Sequence, residues 1–287
     1  MRLILKWYDS DPASPTKWGV ALGSGGARGY AHVPLLELIE ECGIRPEIVT
    51  GSSIGAVVGA AYALTADSRM VKRMTGRFVK KNQERIKELV KMASSTTLTD
   101  ALSMARKSTA DKAVVEEDFL YEMILPIFGD AKFSDTKLKL GIVATDIKTS
   151  STTLITSGFI IDAACASASV PGTFAPTRLG GTHFIDGGVM CVVPVEQCRE
   201  LGAEMVIAAD VTNKMRKGKF KNSLDLMTYI NQLKLERIIK YELSKADYSV
   251  RFVNLAMDWY RFDQFDSATK MARELLDQGL RKELTDE

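Results

Sequence analysis

Between Trp18 and Leu64 the chain alternates two kinds of apolar segment, and that alternation leaves few folds open. A short β-type run, Trp18-Gly19-Val20-Ala21-Leu22, leads into a glycine-rich turn over 23–29 and then a helical pattern over 31–41. A second β-type run over 47–51 leads into the tight turn Ser52-Ser53-Ile54-Gly55 and a helix of small residues. Strand, helix, strand, helix at this spacing implies parallel strands joined by crossover helices and covered on both faces. The first helix fits that reading. Pro34 lies in its first turn, where a missing N–H breaks no bond, and Leu35, Leu36 and Ile39 form one apolar stripe. An α/β fold with a parallel-rich central sheet and helices on both faces is therefore expected.

Residues 67–125 interrupt the alternation. They are charged, Met-rich and helical in period, and read as a helical insertion that either covers the sheet or forms a lid over a site. Cover is the plainer reading, because methionine at helical spacing usually fills core. Strand-like runs resume over 137–146 and 152–156, and Ala, Ser, Gly and Pro then dominate 163–190, which suits tight backbone packing near a site. A helix over 194–203, a strand over 205–210, a basic linker over 213–222 and two closing helices near 223–246 and 264–284 complete the pattern, with a strand-like run over 248–255 between those helices. The expected organisation is one domain over 1–287, with a core over about 18–212 and a C-terminal helical region over about 223–287.

Two sites for chemistry stand out. Gly51-Ser52-Ser53-Ile54-Gly55 fits GxSxG where a strand hands over to a helix, which forces Ser53 onto a sharp turn with its hydroxyl exposed. A serine nucleophile needs a base. The histidines are only His32 and His183, and His183 precedes Asp186 by three residues, against the serine, acid, histidine order of an α/β-hydrolase. Asp186, at the end of an apolar run and followed by Gly187 and Gly188, is the better partner: partly desolvated, its carboxylate can take the serine proton directly.

The glycine loop is weighed against other loops of its kind. Counting GxGxxG from Gly23 and Gly25 puts Arg28 at the third glycine, and no carboxylate closes the second strand, so a dinucleotide site fits poorly. A phosphate loop would need a GK[ST] that is absent. An oxyanion hole fits, with the N–H groups of Gly25, Gly26 and Ala27 facing a carbonyl under attack by Ser53 if the two strands are neighbours. Arg28 is expected to brace this loop. Asp146 and Asp210, each ending a strand, read as turn or capping groups.

Composition excludes more than it suggests. With 38 basic and 36 acidic residues in 287, the formal net charge of +2 gives no basis for nucleic-acid binding. The basic run over 214–219 suits anionic headgroups or simply a solvated loop. Cys42, Cys165, Cys191 and Cys198 form no CxxC pair, which suits reduced thiols in the cytoplasm, and two histidines without HExxH leave a zinc site almost no ligands. No cofactor or metal is expected. The first 18 residues lack the pattern of a signal peptide, and no apolar stretch approaches the roughly 20 residues of a membrane span, so membrane contact is expected to be peripheral.

Gly23-Ser24-Gly25-Gly26-Ala27-Arg28-Gly29 with Ala31-His32, the Ser53 turn, the block Ala166-Ser167-Ala168-Ser169-Val170-Pro171-Gly172-Thr173-Phe174-Ala175-Pro176, and Asp186-Gly187-Gly188 together resemble the patatin-like phospholipase family, near its bacterial branch. The blocks occur in the family's order over roughly 18–210. The resemblance implies a three-layer patatin-like sandwich and a metal-independent serine–aspartate lipid acyl hydrolase acting on phospholipids or lysophospholipids. It assigns Ser53 as nucleophile, Asp186 as base and the loop Gly25, Gly26, Ala27 and Arg28 as oxyanion hole, with Gly23, Gly29, Gly51, Gly55, Gly187 and Gly188 as supporting motif positions. Ser24 replaces a frequent glycine, and Cys191 stands where many members have Asn. The alternatives are a lipid-binding adaptor that works through the 67–125 helices with an idle pair, and a nucleotide-binding oxidoreductase.

Overall fold

A computed structural model describes residues 16–94, 118–213, 223–253, 255 and 257–285. Strand β1 (Trp18–Leu22), helix α1 (His32–Glu41), strand β2 (Ile48–Ser52) and helix α2 (Ile54–Thr65) realise the expected alternation, with a 3-10 turn over Gly26–Ala31 between β1 and α1. Helices α3 (Ser68–Lys81), α4 (Gln83–Ser94) and α5 (Phe119–Phe128) lie in the expected insertion, whose residues 95–117 fall outside the described ones. The chain then forms β3 (Lys139–Asp146), β4 (Ser151–Ile155), α6 (Ile160–Ala168), β5 (Thr177–Leu179) and β6 (Thr182–Ile185). It closes with α7 (Val195–Glu200), β7 (Met205–Asp210), α8 (Ser223–Leu243), β8 (Tyr248–Arg251) and α9 (Phe265–Thr285).

Among the described residues, eight strands form one mixed sheet in the order β5-β6-β3-β2-β1-β7-β8, with β4 also paired to β3. Strands β3, β2, β1, β7 and β8 are parallel, and β4, β5 and β6 form an antiparallel edge. Because side chains alternate along a strand, Val20 and Leu22 pack with α1, α2 and α9 on one face, while Ala21 packs with Val195 and Cys198 of α7 and Ile239 of α8 on the other. This double burial explains the near-continuous apolar runs of the parallel strands. The antiparallel edge was not foreseen: Gly180 and Gly181, both at positive φ, turn β5 directly into β6, and this short hairpin lies within the small-residue stretch.

The chain leaves β1 for β2 on one side and reaches β7 on the other, so the crevice at the C-terminal end of β1 is a topological switch point. Leu22 pairs with Gly51. That register sets the glycine loop after β1 beside the turn after β2.

Candidate active site

Ser53 joins β2 to α2 with φ 54° and ψ −121°, a left-handed conformation that costs a non-glycine residue about 1–3 kcal/mol. The surroundings enforce it. A Cβ on Gly51 would strike the Gly55 carbonyl, and one on Gly55 would strike the carbonyl of Leu22. The Ser53 N–H donates to Ser167 Oγ at 2.8 Å, and Ser167 Oγ donates in turn to the Val143 carbonyl at 2.6 Å. The hydroxyl of Ser52 donates to the Cys191 carbonyl at 2.8 Å.

Ser53 Oγ donates to Asp186 Oδ2 at 2.5 Å, within the range of a strong hydroxyl–carboxylate hydrogen bond. Asp186 follows β6. Its Oδ1 accepts the Gly188 N–H at 2.7 Å, its own N–H donates to the Ser169 carbonyl at 2.9 Å, and its carbonyl accepts the Thr145 hydroxyl at 3.0 Å. Burial pushes its carboxyl up to about 6, while the hydrogen bonds from Ser53 and Gly188 act in the opposite direction. Gly187 lies against the Val143 carbonyl and Gly188 against Ser24 Oγ, so neither position has room for a side chain.

In the glycine loop, the Gly23 N–H donates to the Ala209 carbonyl at 2.9 Å and the Ser24 N–H to the Val192 carbonyl at 2.9 Å. Gly26 has φ +60°, with its Cα against the Trp259 carbonyl. That carbonyl also accepts the Ala27 N–H at 2.6 Å. The loop therefore departs from expectation at one position: Ala27 is buried with its N–H engaged, whereas Gly25 and Gly26 line the same cavity as Ser53 and Asp186. Arg28 Nε donates to the Val211 carbonyl at 3.0 Å, which ties the loop to the end of β7. Gly29 packs against the Ile54 side chain. Burial pulls His32 down to about 4, so its ring is neutral at pH 7, and its Nε2 donates to the Gly23 carbonyl at 2.9 Å.

The cavity measures about 300 Å³ and has one polar end, formed by Ser24, the glycine loop, Ser53 and Asp186. Its walls are apolar and include Met74 and Phe78 of α3, Leu89 of α4, Met123 and Ile127 of α5, and Phe174. The insertion helices thus wall a chamber over the Ser53 turn, beyond covering the sheet. Asp146 accepts the N–H groups of Lys148 and Thr149 in a turn, and Asp210 accepts from Thr212 and pairs with Arg251 at 2.7 Å. No sequence pattern marks Thr145, Trp259 or Glu242 as part of the site, and Ser167 stands out only within the family block over 166–176.

Among the described residues no three His, Cys, Asp or Glu side chains cluster as metal ligands, and no helix is long and apolar enough to cross a membrane. All four cysteines are free. The basic run over 214–219 lies outside the described residues.

The family model described as "Patatin-like phospholipase" matches residues 20–199, and the chain belongs to this family. Among curated relatives, the lysophospholipase nte1 of Aspergillus fumigatus is 32% identical over 193 residues, covering 67% of this chain and 12% of that protein. An uncharacterized NTE family protein of Mycobacterium tuberculosis is 27% identical over 199 residues, covering 69% of this chain and 50% of its own length. The matches thus span between about an eighth and a half of these relatives. Among solved structures, VipD from Legionella pneumophila aligns over 93% of this chain and 68% of that chain, with a TM-score of 0.44 and 13% identity.

Proposed function

We propose that the chain is a serine lipid acyl hydrolase that cleaves acyl esters of phospholipids or lysophospholipids through an acyl-Ser53 intermediate, with Asp186 as its base. The observation that carries this reading is the 2.5 Å hydrogen bond from Ser53 Oγ to the buried Asp186 carboxylate at the polar end of an apolar cavity. As Oγ attacks the ester carbonyl carbon, its proton passes to Asp186, and the carbonyl oxygen becomes an oxyanion facing the N–H groups of Gly25 and Gly26. Loss of one such donor typically costs about 2.7–4 kcal/mol of transition-state stabilisation. The tetrahedral intermediate collapses, the C–O bond to the alcohol breaks, and Asp186 returns the proton to the leaving oxygen. Water then gives a proton to Asp186 and attacks the acyl-serine, and Ser53 leaves with that proton as the fatty acid departs.

A carboxyl near 6 suits this exchange, being ionised at neutral pH yet more basic than an exposed aspartate. No step calls on a metal or cofactor. The apolar walls suit the acyl chain, and the relatives' description as lysophospholipases supports a phospholipase A or lysophospholipase type of reaction. Helix α8 exposes Leu226, Met227, Ile230 and Leu233 beside Lys234 and Arg237, a mixture suited to peripheral contact with a lipid surface. The test is release of fatty acid from lysophosphatidylcholine and of p-nitrophenol from its butyrate ester. Turnover that Ser53→Ala abolishes supports the reading. Turnover no greater than that of Ser53→Ala would favour a lipid-binding role instead.

A further inference from the structure

Three parts of the site, the glycine loop, the Ser53 turn and the Asp186 turn, come from distant stretches of chain, and one short piece of backbone is hydrogen-bonded to all of them. The Val192 carbonyl accepts the Ser24 N–H at 2.9 Å. The Cys191 carbonyl accepts the Ser52 hydroxyl at 2.8 Å, and the Cys191 N–H donates to the Gly187 carbonyl at 2.8 Å. Behind this piece stands Glu242, buried in the last turn of α8. Its Oε1 accepts the Val192 N–H at 3.0 Å and its Oε2 accepts the Val193 N–H at 2.8 Å, one donor to each oxygen.

A buried carboxylate is costly unless hydrogen-bonded, and a buried N–H is costly if left without an acceptor. Each cost here is offset by the other group, with the Cys191 thiol as a further donor to the carboxylate. Among the described residues, the ionisable groups that act on Glu242 are the Cys191 thiol from the same backbone piece and Asp210 from the end of β7, neither of them a cation. Asp210 is itself held by Arg251 of β8. On α7, Glu196 bears on Cys191 and accepts the Tyr241 hydroxyl at 3.1 Å.

We propose that Glu242 is a positioning residue, which in its ionised form pins residues 191–193 and thereby sets Ser24, Ser52 and Gly187 around the reacting pair. The proposal rests on the reading of Ser53 and Asp186 given above. A protonated Glu242 presents an O–H where an N–H needs an acceptor, so one of the two pins is lost. Burial pushes the Glu242 carboxyl up to about 7, against hydrogen bonds from Val193, Cys191 and Val192 that act to lower it. Activity therefore rises with pH through two ionisations, that of Asp186 and that of Glu242.

The test follows p-nitrophenyl butyrate turnover and the rate of Ser53 labelling by a fluorophosphonate from about pH 5 to 9, in the wild type and in Glu242→Gln. In the wild type the acid limb should be steeper than one ionisation allows. Glu242→Gln, which keeps the shape but only one acceptor, should lower kcat about tenfold at pH 8 with KM changed less than about twofold, and its acid limb should fall with a single ionisation near that of Asp186. A wild-type limb of one ionisation overturns the proposal, as does a variant as fast as wild type. So does a slower variant whose pH profile keeps the wild-type shape, since that marks a structural role alone. If the variant fails to fold, the wild-type limb decides. Absence of any Ser53 adduct in the wild type overturns the hydrolase reading and this proposal with it, whereas an adduct with a one-ionisation limb overturns the role of Glu242 alone.

Discussion

Burial holds Asp186 as a weaker acid than an exposed aspartate, and the same burial ties activity to stability. Its carboxyl stands near 6 in the folded chain against an ordinary 3.8, so the folded state takes up its proton more readily than the unfolded state does. The carboxylate therefore costs stability above about pH 6, on the order of 2–3 kcal/mol, and that cost disappears as the pH falls below its ordinary range. Asp186→Asn, neutral at every pH, should melt a few degrees higher than wild type at pH 8 and lose that advantage near pH 4, as read by calorimetry. The same change should lower kcat by about 10²–10⁴ through loss of the base. A gain in stability joined to a loss of rate is the expected mark of a group strained for reaction.

At the scale of elements, the site depends on how closely β1, β2 and α2 approach. A Cβ on Gly55 would meet the Leu22 carbonyl, a backbone atom that cannot swing aside. Gly55→Ala should therefore destabilise by about 1–3 kcal/mol in denaturant titration and slow Ser53 labelling. At Gly76, inside α3, the contact a Cβ would meet among the described residues is Phe265 Cε1 at 3.6 Å, an ordinary van der Waals distance. Gly76→Ala should stabilise by about 0.5–1 kcal/mol, because alanine loses less freedom in a helix. The close-packed glycines were legible in sequence because apolar strand, glycine and helix follow one another within a few residues. Helix α6 and the β5–β6 hairpin were not, since Ala, Ser and Gly satisfy helix, turn and tight packing alike. Ala27 could be placed in the loop, but the Trp259 carbonyl that engages its N–H comes from far along the chain and left no local mark. Glu242 carries no motif at all: on sequence it is one more charged residue of a C-terminal helix.

At the scale of the whole molecule, an insertion between β2 and β3 walls the cavity into which the switch point opens, so under the proposed function chemistry and selectivity would come from different parts of the chain. Filling the apolar wall should shorten the acyl chain accepted. Met123→Trp should lower kcat/KM for a dodecanoyl ester about tenfold or more while leaving the butyryl ester within about twofold. The outer face of α8 forms a third region, and Met227→Glu with Ile230→Glu should weaken sedimentation with anionic vesicles without slowing butyrate turnover. The pair at the polar end of the cavity is probed by intact mass after fluorophosphonate treatment of the wild type, Ser53→Ala and Asp186→Asn. A single adduct is expected on the wild type, none on Ser53→Ala and one that forms far more slowly on Asp186→Asn. An unlabelled wild type, or an adduct that survives in Ser53→Ala, would rule out Ser53 as the activated nucleophile.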